Sequence, residues 1–258
     1  VLFRSHRESR RVIEALVPLF IGDFSSYRDT LVLHDDPRPS VPLRELLSAE
    51  GLPALLVRFG EAHAGGDRRA LLSQWSKHYF VRLIPPVVAA ALVLNRRLPL
   101  GLDDIEVVLD REHLPQAFKL RDAGEPFAPG NPFERFTHLQ HDHLAPLIQA
   151  FTAQVKIAPK VLWSNAGNYF EWILTALGKV LPAPLLADGF SLLQAAQQPD
   201  GRRNPLYQPV RYVELQGAAL PWRQRRVCCI RYLLPELELC ENCPLLDEPP
   251  AQAAGSAS

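Results

Sequence analysis

The sequence has no methionine among its 258 residues. The natural initiator is therefore not in it, and the opening Val-Leu-Phe-Arg-Ser reads as a translated adapter or cloning scar. Residues 1–5 are set aside from fold reasoning on that ground. Surplus charge is also missing: 28 Lys and Arg balance 28 Asp and Glu. That excludes the basic footprint by which proteins hold nucleic acid, and no arginine-rich arm or interleaved aromatic platform replaces it. Long apolar runs are absent as well. The longest, Ile84 to Leu94, has 11 residues, whereas about 20 are needed to cross a bilayer. It is expected to be a buried helix, in a chain with no transmembrane segment and no signal peptide. There is no G-x-G-x-x-G fingerprint, no phosphate-cradling loop and no Ser–His–Asp order. A chain of this length buries an adequate core without disulfide staples.

Cysteine is scarce, and its placement is informative. All four fall within RRVCCIRYLLPELELCENC, residues 225–243, at Cys228, Cys229, Cys240 and Cys243. The cytoplasm is the expected location, and thiols stay reduced there. Four clustered thiols in a reducing compartment point to zinc or an iron–sulfur centre. A structural zinc site usually shows two C-x2-C knuckles, but here only Cys240 and Cys243 form one. Cys228 and Cys229 are adjacent, and the segment 226–234 reads as a strand, where neighbouring side chains point to opposite faces. One ion reaches both only with a distorted backbone. A two-iron rhomb is larger and tolerates that pair better. Arg225, Arg226 and Arg231 lie close by, where guanidinium groups would favour the reduced, more negative state of such a centre.

The rest of the pattern is mainly helical. Helices are expected over 7–20, 42–49 (capped by Ser40), from Gly51 to about His63, and from Asp67 to Pro85-Pro86, which end or kink it before a short apolar helix to Asn95. Long helices follow at 133–154 and 160–177, with Gly178 as C-terminal cap, and a short one in DGFSLLQAAQ. Ile105–Asp110 and Gln116–Leu120 read as a hairpin, and 210–215 and 226–234 as two more strands. No βαβ alternation occurs. The expected class is α+β, mainly helical: a helical bundle packed with a small antiparallel sheet. An N-terminal helical part (6–100) is expected to form one integrated domain with residues 101–246, followed by a disordered tail, 247–258.

The arrangement C-C-x10-C-x2-C resembles that of the FhuF-type ferric siderophore reductases. The blocks NPLYQPVRYVE, APKVLWSNAGNYFEWIL and WSKHYFVRLIPPVVAAALVL extend the resemblance over most of the chain after about residue 40. It implies a [2Fe–2S] cluster on Cys228, Cys229, Cys240 and Cys243 that passes one electron to a ferric siderophore. It also implies a domain type shared with the C-terminal part of siderophore synthetases. With no nicotinamide or flavin fingerprint in the chain, the electron is expected from an external donor such as a ferredoxin, flavodoxin or flavin reductase. The location is expected to be cytoplasmic, or peripheral at the inner membrane. Two other classes remain: a zinc or iron–sulfur protein with a structural or sensory role, and a siderophore-binding module without redox chemistry.

Several other residues invite a role. Trp163, Asn165 and Asn168 lie in VLWSNAGNYF, and asparagines are mediocre helix residues. With Arg225, Arg226 and Arg231 they are the candidate substrate contacts. Trp75, Lys77, His78 and Tyr79 read as an amphipathic core helix before a docking surface. His138, His141 and His143 read as an exposed polar helix face.

Overall fold

The computed structural model describes residues 11–63, 66–216 and 220–250. Residues 1–5, the first turn of the expected 7–20 helix and the end of the tail lie outside that range. The architecture is mainly helical α+β, as the pattern implies. Five helices make the body: α1 (Gly51–Gly60), α2 (Arg68–Val93), α3 (Ala145–Gln154), α4 (Pro159–Leu177) and α5 (Ala183–Gln194). α2 and α4 pack along their lengths and form the spine. Asp67 starts α2 as expected, its carboxylate accepting from the Arg69 N–H at 2.8 Å.

Pro85-Pro86 do not end the helix; α2 runs through both prolines to Val93. Each proline costs the helix a hydrogen bond. Here every residue from Leu83 to Leu92 is buried in the core, and packing on all sides holds the rod together.

Four strands form a mixed sheet beside the helices: β1 (Leu31–Leu33), β2 (Val41–Pro42), β3 (Ile105–Leu109) and β4 (Pro115–Leu120), in the order β1-β4-β3-β2. The β3–β4 hairpin matches expectation, with a bulge between Val108 and Leu109. The sheet is not wholly antiparallel: β1 lies parallel to β4, Leu31 opposite Phe118 and Leu33 opposite Leu120. β1 also draws in the start of the expected 7–20 helix, with Leu33 N–H donating to the Arg11 carbonyl at 2.8 Å. Val12 bridges Val32, and only Glu14–Leu19 turns, as a 3-10 helix. Ser40 caps nothing; its hydroxyl donates to Glu106 on β3, and Pro42 precedes the single turn Leu43–Leu46. Gly178 does end α4, in a right-handed conformation.

The long helix expected over 133–154 is broken into short turns and a π-helical segment, Gln140–Leu144, before α3. The break turns His138 and His143 inward, so they are buried, not an exposed face. His143 Nδ1–H donates to the Leu100 carbonyl at 2.8 Å, and its Nε2 accepts from the Tyr79 hydroxyl at 3.0 Å. Its ring stacks on Tyr79. Burial holds both imidazoles neutral and lowers each to about 4.

Because the unfolded chain takes up these protons near pH 6.5, this stability is complete above that pH. It is lost as pH falls toward 4, by roughly 3 kcal/mol per histidine. Denaturant unfolding at pH 7 and 4.5 should show that slope, and His143→Gln should flatten it. Equal slopes in the two proteins would contradict this account.

Candidate metal centre

A second, two-stranded sheet supports the cysteines. β5 (Val210–Val213) pairs antiparallel with β6 (Trp222–Arg225), Val210 opposite Arg225 and Val213 opposite Trp222. The strand expected over 226–234 is therefore placed too late. The ladder ends at Arg225, and Cys228 and Cys229 lie in the irregular segment beyond it. Ile230 takes a left-handed conformation, φ 54°, before a 3-10 turn at Arg231–Leu233. The objection that adjacent cysteines face opposite ways thus loses its premise. Outside a strand, neighbouring side chains are not held to opposite faces.

The knuckle at Cys240–Cys243 is a tight turn closed by Cys243 N–H donating to Cys240 O at 3.0 Å. It docks on the edge of β6. Arg225 N–H donates to Asn242 O at 2.9 Å, Trp222 Nε1 to Glu241 O at 3.1 Å, and Gln224 Nε2 to Cys243 O at 3.1 Å. Asn242 Nδ2 also reaches Asn168 Oδ1 on α4, at 2.9 Å. From α2, Ser73 Oγ donates to the Cys229 carbonyl at 2.7 Å.

These bonds bring the sulfurs together. Cys229 Sγ and Cys240 Sγ are 3.2 Å apart, and Cys228 approaches Cys243. All four are free, and they share one patch with Leu239 and Leu246. Cys229, Cys240 and Cys243 are buried; Cys228 is half-exposed.

Two cations face the group. Lys77 Nζ on α2 lies 3.4 Å from Cys240 Sγ. Arg225 is 1% exposed; it donates to Asn165 Oδ1 at 2.5 Å and Ser164 Oγ at 3.2 Å, both neutral, and its Nε has no partner.

The Cys229 thiol is lowered to about 4, first by the hydrogen bond from Cys240 and then by the charges of Lys77 and Arg225. The same hydrogen bond, with burial, pushes Cys240 up. Burial also raises Cys228. Lys77 and Arg225 favour ionisation at this pair.

This donor set suits an anionic iron–sulfur centre. It offers four soft sulfurs, an apolar cover and two cations to offset the charge. Among the described residues, no three His, Cys, Asp or Glu side chains are grouped to hold one metal ion. The sulfurs lie as two pairs, Cys229 with Cys240 and Cys228 with Cys243.

The other candidates fall into three groups. Arg225, Asn165 and Asn168 are inside. Asn165 Nδ2 donates to Ser73 and Ser76, tying α4 to α2. Asn168 accepts from Arg223 Nη1 at 3.1 Å, beside the Arg223–Glu171 ion pair. Both asparagines hold the cysteine segment on the body. Trp163 and Arg226 line a surface cleft, and Arg231 stands next to Ile230 with its Nε unpartnered. Trp75 and Tyr79 are core, as expected, and His78 is exposed.

Ser73 is the support that sequence reasoning passed over, while Lys77, read there as part of an amphipathic core helix, faces the sulfurs. The signal was present: Ser73, Gln74 and Ser76 are polar positions in an otherwise apolar stretch.

Two family models match the chain. The family model described as "Ferric iron reductase FhuF-like transporter" matches residues 73–220. That described as "FhuF 2Fe-2S C-terminal domain" matches residues 225–245. A curated protein of Escherichia coli (strain K12), "Ferric siderophore reductase", is 28% identical over 181 residues. The alignment covers 69% of this chain and 67% of that protein. The first model spans more than half of the sequence, and the chain belongs to the FhuF-like ferric iron reductase family.

Proposed function

We propose that Cys228, Cys229, Cys240 and Cys243 hold a [2Fe–2S] cluster and that the chain reduces ferric siderophores one electron at a time. The observation that carries this reading is the meeting of all four sulfurs, from both ends of a 16-residue stretch, beside Lys77 and Arg225. When bound, a [2Fe–2S] cluster supplies a one-electron couple within roughly −700 to +450 mV.

The remaining work belongs to this chain's own groups. Ser73 fixes the Cys229 backbone, and the Asn168–Asn242 bond fixes the knuckle. Lys77 and Arg225 offset negative charge at the sulfurs. Leu239 and Leu246 keep water from three of them, while Cys228 stays at the surface where exchange partners reach it. On the substrate side, Fe(III) is a hard ion held by hard oxygen donors, and Fe(II) is held far less tightly. One electron therefore releases the metal.

Having no dinucleotide or flavin fingerprint, the chain takes its electron from a partner such as a ferredoxin, flavodoxin or flavin reductase. We read 6–100 and 101–246 as one integrated domain, because β1 pairs with β4 and α2 packs on α4 across that division. Free thiols suit a reducing compartment, so the cytoplasm is the proposed location, at most peripheral at the inner membrane. No helix among the described residues is long and apolar enough to cross a membrane.

Anaerobic purification followed by iron and sulfide counting, then mixing of the reduced protein with a panel of ferric chelates, tests the reading. A brown protein that bleaches on reduction and is re-oxidised by ferric siderophore is expected. A colourless zinc protein, or a reduced one inert to every chelate, overturns it.

A further inference from the structure

One cleft stands against the cysteine segment. It has a volume of about 420 Å³ and is walled by the first turns of α4, the loop 203–209 and the two residues before Cys228. That is within the usual range for a small-molecule site. Val227 is part of its wall and is bonded directly to Cys228, the sulfur of the four that reaches the surface.

Its charge is one-sided. Lys160, Arg203 and Arg226 line it, and no carboxylate does. Arg226 donates to Gln208 Oε1 and to the Val210 carbonyl, both neutral. By contrast, neighbouring Arg202, outside the cleft, is paired with Asp200. Among the described residues, no ion pair engages the three lining cations. The N-terminus of α4, which has no side-chain cap, adds its partial positive charge to the same wall. Two partly exposed aromatics, Trp163 and Tyr207, offer flat faces.

The walls are built rather than incidental. Asn204 Nδ2 donates to the Leu192 and Ala195 carbonyls, and Gln208 N–H to the Leu193 carbonyl. Gln208 itself is left-handed, φ 40°. A Cβ on Gly167 would stand 2.7 Å from Pro209, so this glycine lets the loop lie directly on α4.

A larger cavity, about 470 Å³, is lined by Asp104, Asp122, Glu125 and Asp142 against Arg97 and Arg121, with Arg121 paired to Asp104 and Asp122, and no cysteine lines it. It does not suit an anion.

We infer that the cleft is the docking site for the ferric chelate, and that it selects chelates with net negative charge and aromatic arms, the tris-catecholate class, over neutral tris-hydroxamates. This rests on the reductase reading for its substrate. The iron(III) tris-catecholate core carries three negative charges, which the three cations meet. Trp163 and Tyr207 give a catechol ring a surface to lie on. The cleft takes one arm and a face of the complex, with the metal toward Val227.

Binding separates this inference from the electron transfer. Gallium(III) carries the same charge as iron(III) and resists reduction, so titration calorimetry of the full chain with a gallium tris-catecholate reads docking alone. The wild type should bind it at least about tenfold more tightly than a neutral gallium tris-hydroxamate. Lys160→Glu with Arg203→Glu should weaken the catecholate at least about tenfold, and added salt should weaken it in the wild type. Lys179→Glu, exposed and outside the cleft, should leave it unchanged. Equal affinity for the two chelates, or for wild type and double variant, overturns the inference. Reduction of chelates without binding in the cleft would leave the reductase reading standing. Binding without reduction would leave the cleft standing and remove that reading.

Discussion

Cys229→Ser should yield a folded protein that has lost its iron. Serine matches the shape of cysteine, and the Ser73 bond to the residue 229 carbonyl does not involve the side chain. The helical body therefore keeps its core. What goes is the sulfur lying 3.2 Å from Cys240, whose ionisation Lys77 and Arg225 favour. A hydroxyl holds its proton far more firmly than a thiol and is a poor ligand for iron. Loss of a supporting group around a metal typically costs 10–100-fold in affinity, so loss of a ligand should cost at least about a hundredfold. Iron and sulfide per chain should fall to background, and the visible absorption should vanish, with the far-ultraviolet circular dichroism unchanged. A brown Cys229→Ser protein with full iron would remove Cys229 from the ligand set.

The second large effect concerns Arg225. A fully buried guanidinium without a carboxylate is costly unless some other negative charge answers it. The bonds described for it go to Asn165 and Ser164, and the charges it bears upon are those of Cys229 and Cys240. On the proposed reading its counter-charge is the metal centre, and a cation there would favour the more negative, reduced state. At an effective dielectric of about 20, a unit charge several ångströms away contributes about 1–3 kcal/mol. About 59 mV corresponds to each factor of ten in a one-electron couple. Arg225→Gln should therefore lower the midpoint potential by roughly 50–100 mV while iron is retained. It should also lower thermal stability, because Asn165 Oδ1 loses its donor, at about 1–3 kcal/mol. Arg225→Lys keeps the charge and forfeits the fork geometry, so it should restore most of the potential but not the stability. Spectroelectrochemical titration of the three proteins decides the matter. An unchanged or raised potential in Arg225→Gln would show that this charge does not act on the centre.

Much of the centre was legible because it is local. Four thiols within one short stretch have little freedom to be far apart, and C-x2-C carries its own turn. The hairpin at β3–β4, the start of α2 at Asp67 and the span of α4 follow from alternation, capping and period. The failures share a cause: residues distant in sequence decide them. Residues 226–234 have strand-forming composition, but the partner Val210–Val213 fixes the ladder at Trp222–Arg225, and Ile230 then breaks the extended path. Pro85-Pro86 breaks isolated helices, but not one enclosed by its neighbours. His138 and His143 look like surface residues until the π-helical turn rotates them inward. The cleft was hidden most completely, since Lys160, Arg203 and Arg226 come from three separate segments. Only Trp163 and Arg226 among its lining had been singled out, on other grounds.

The mooring of the cysteine segment also bears on how the protein is made. Its anchors, Ser73 and Asn168, belong to helices that precede Cys240 and Cys243 along the chain and so leave the ribosome before them. The receptor exists before what it receives. On the proposed reading, iron can be loaded only after Cys243 has emerged, when the knuckle closes over the metal as a latch closes on a built frame.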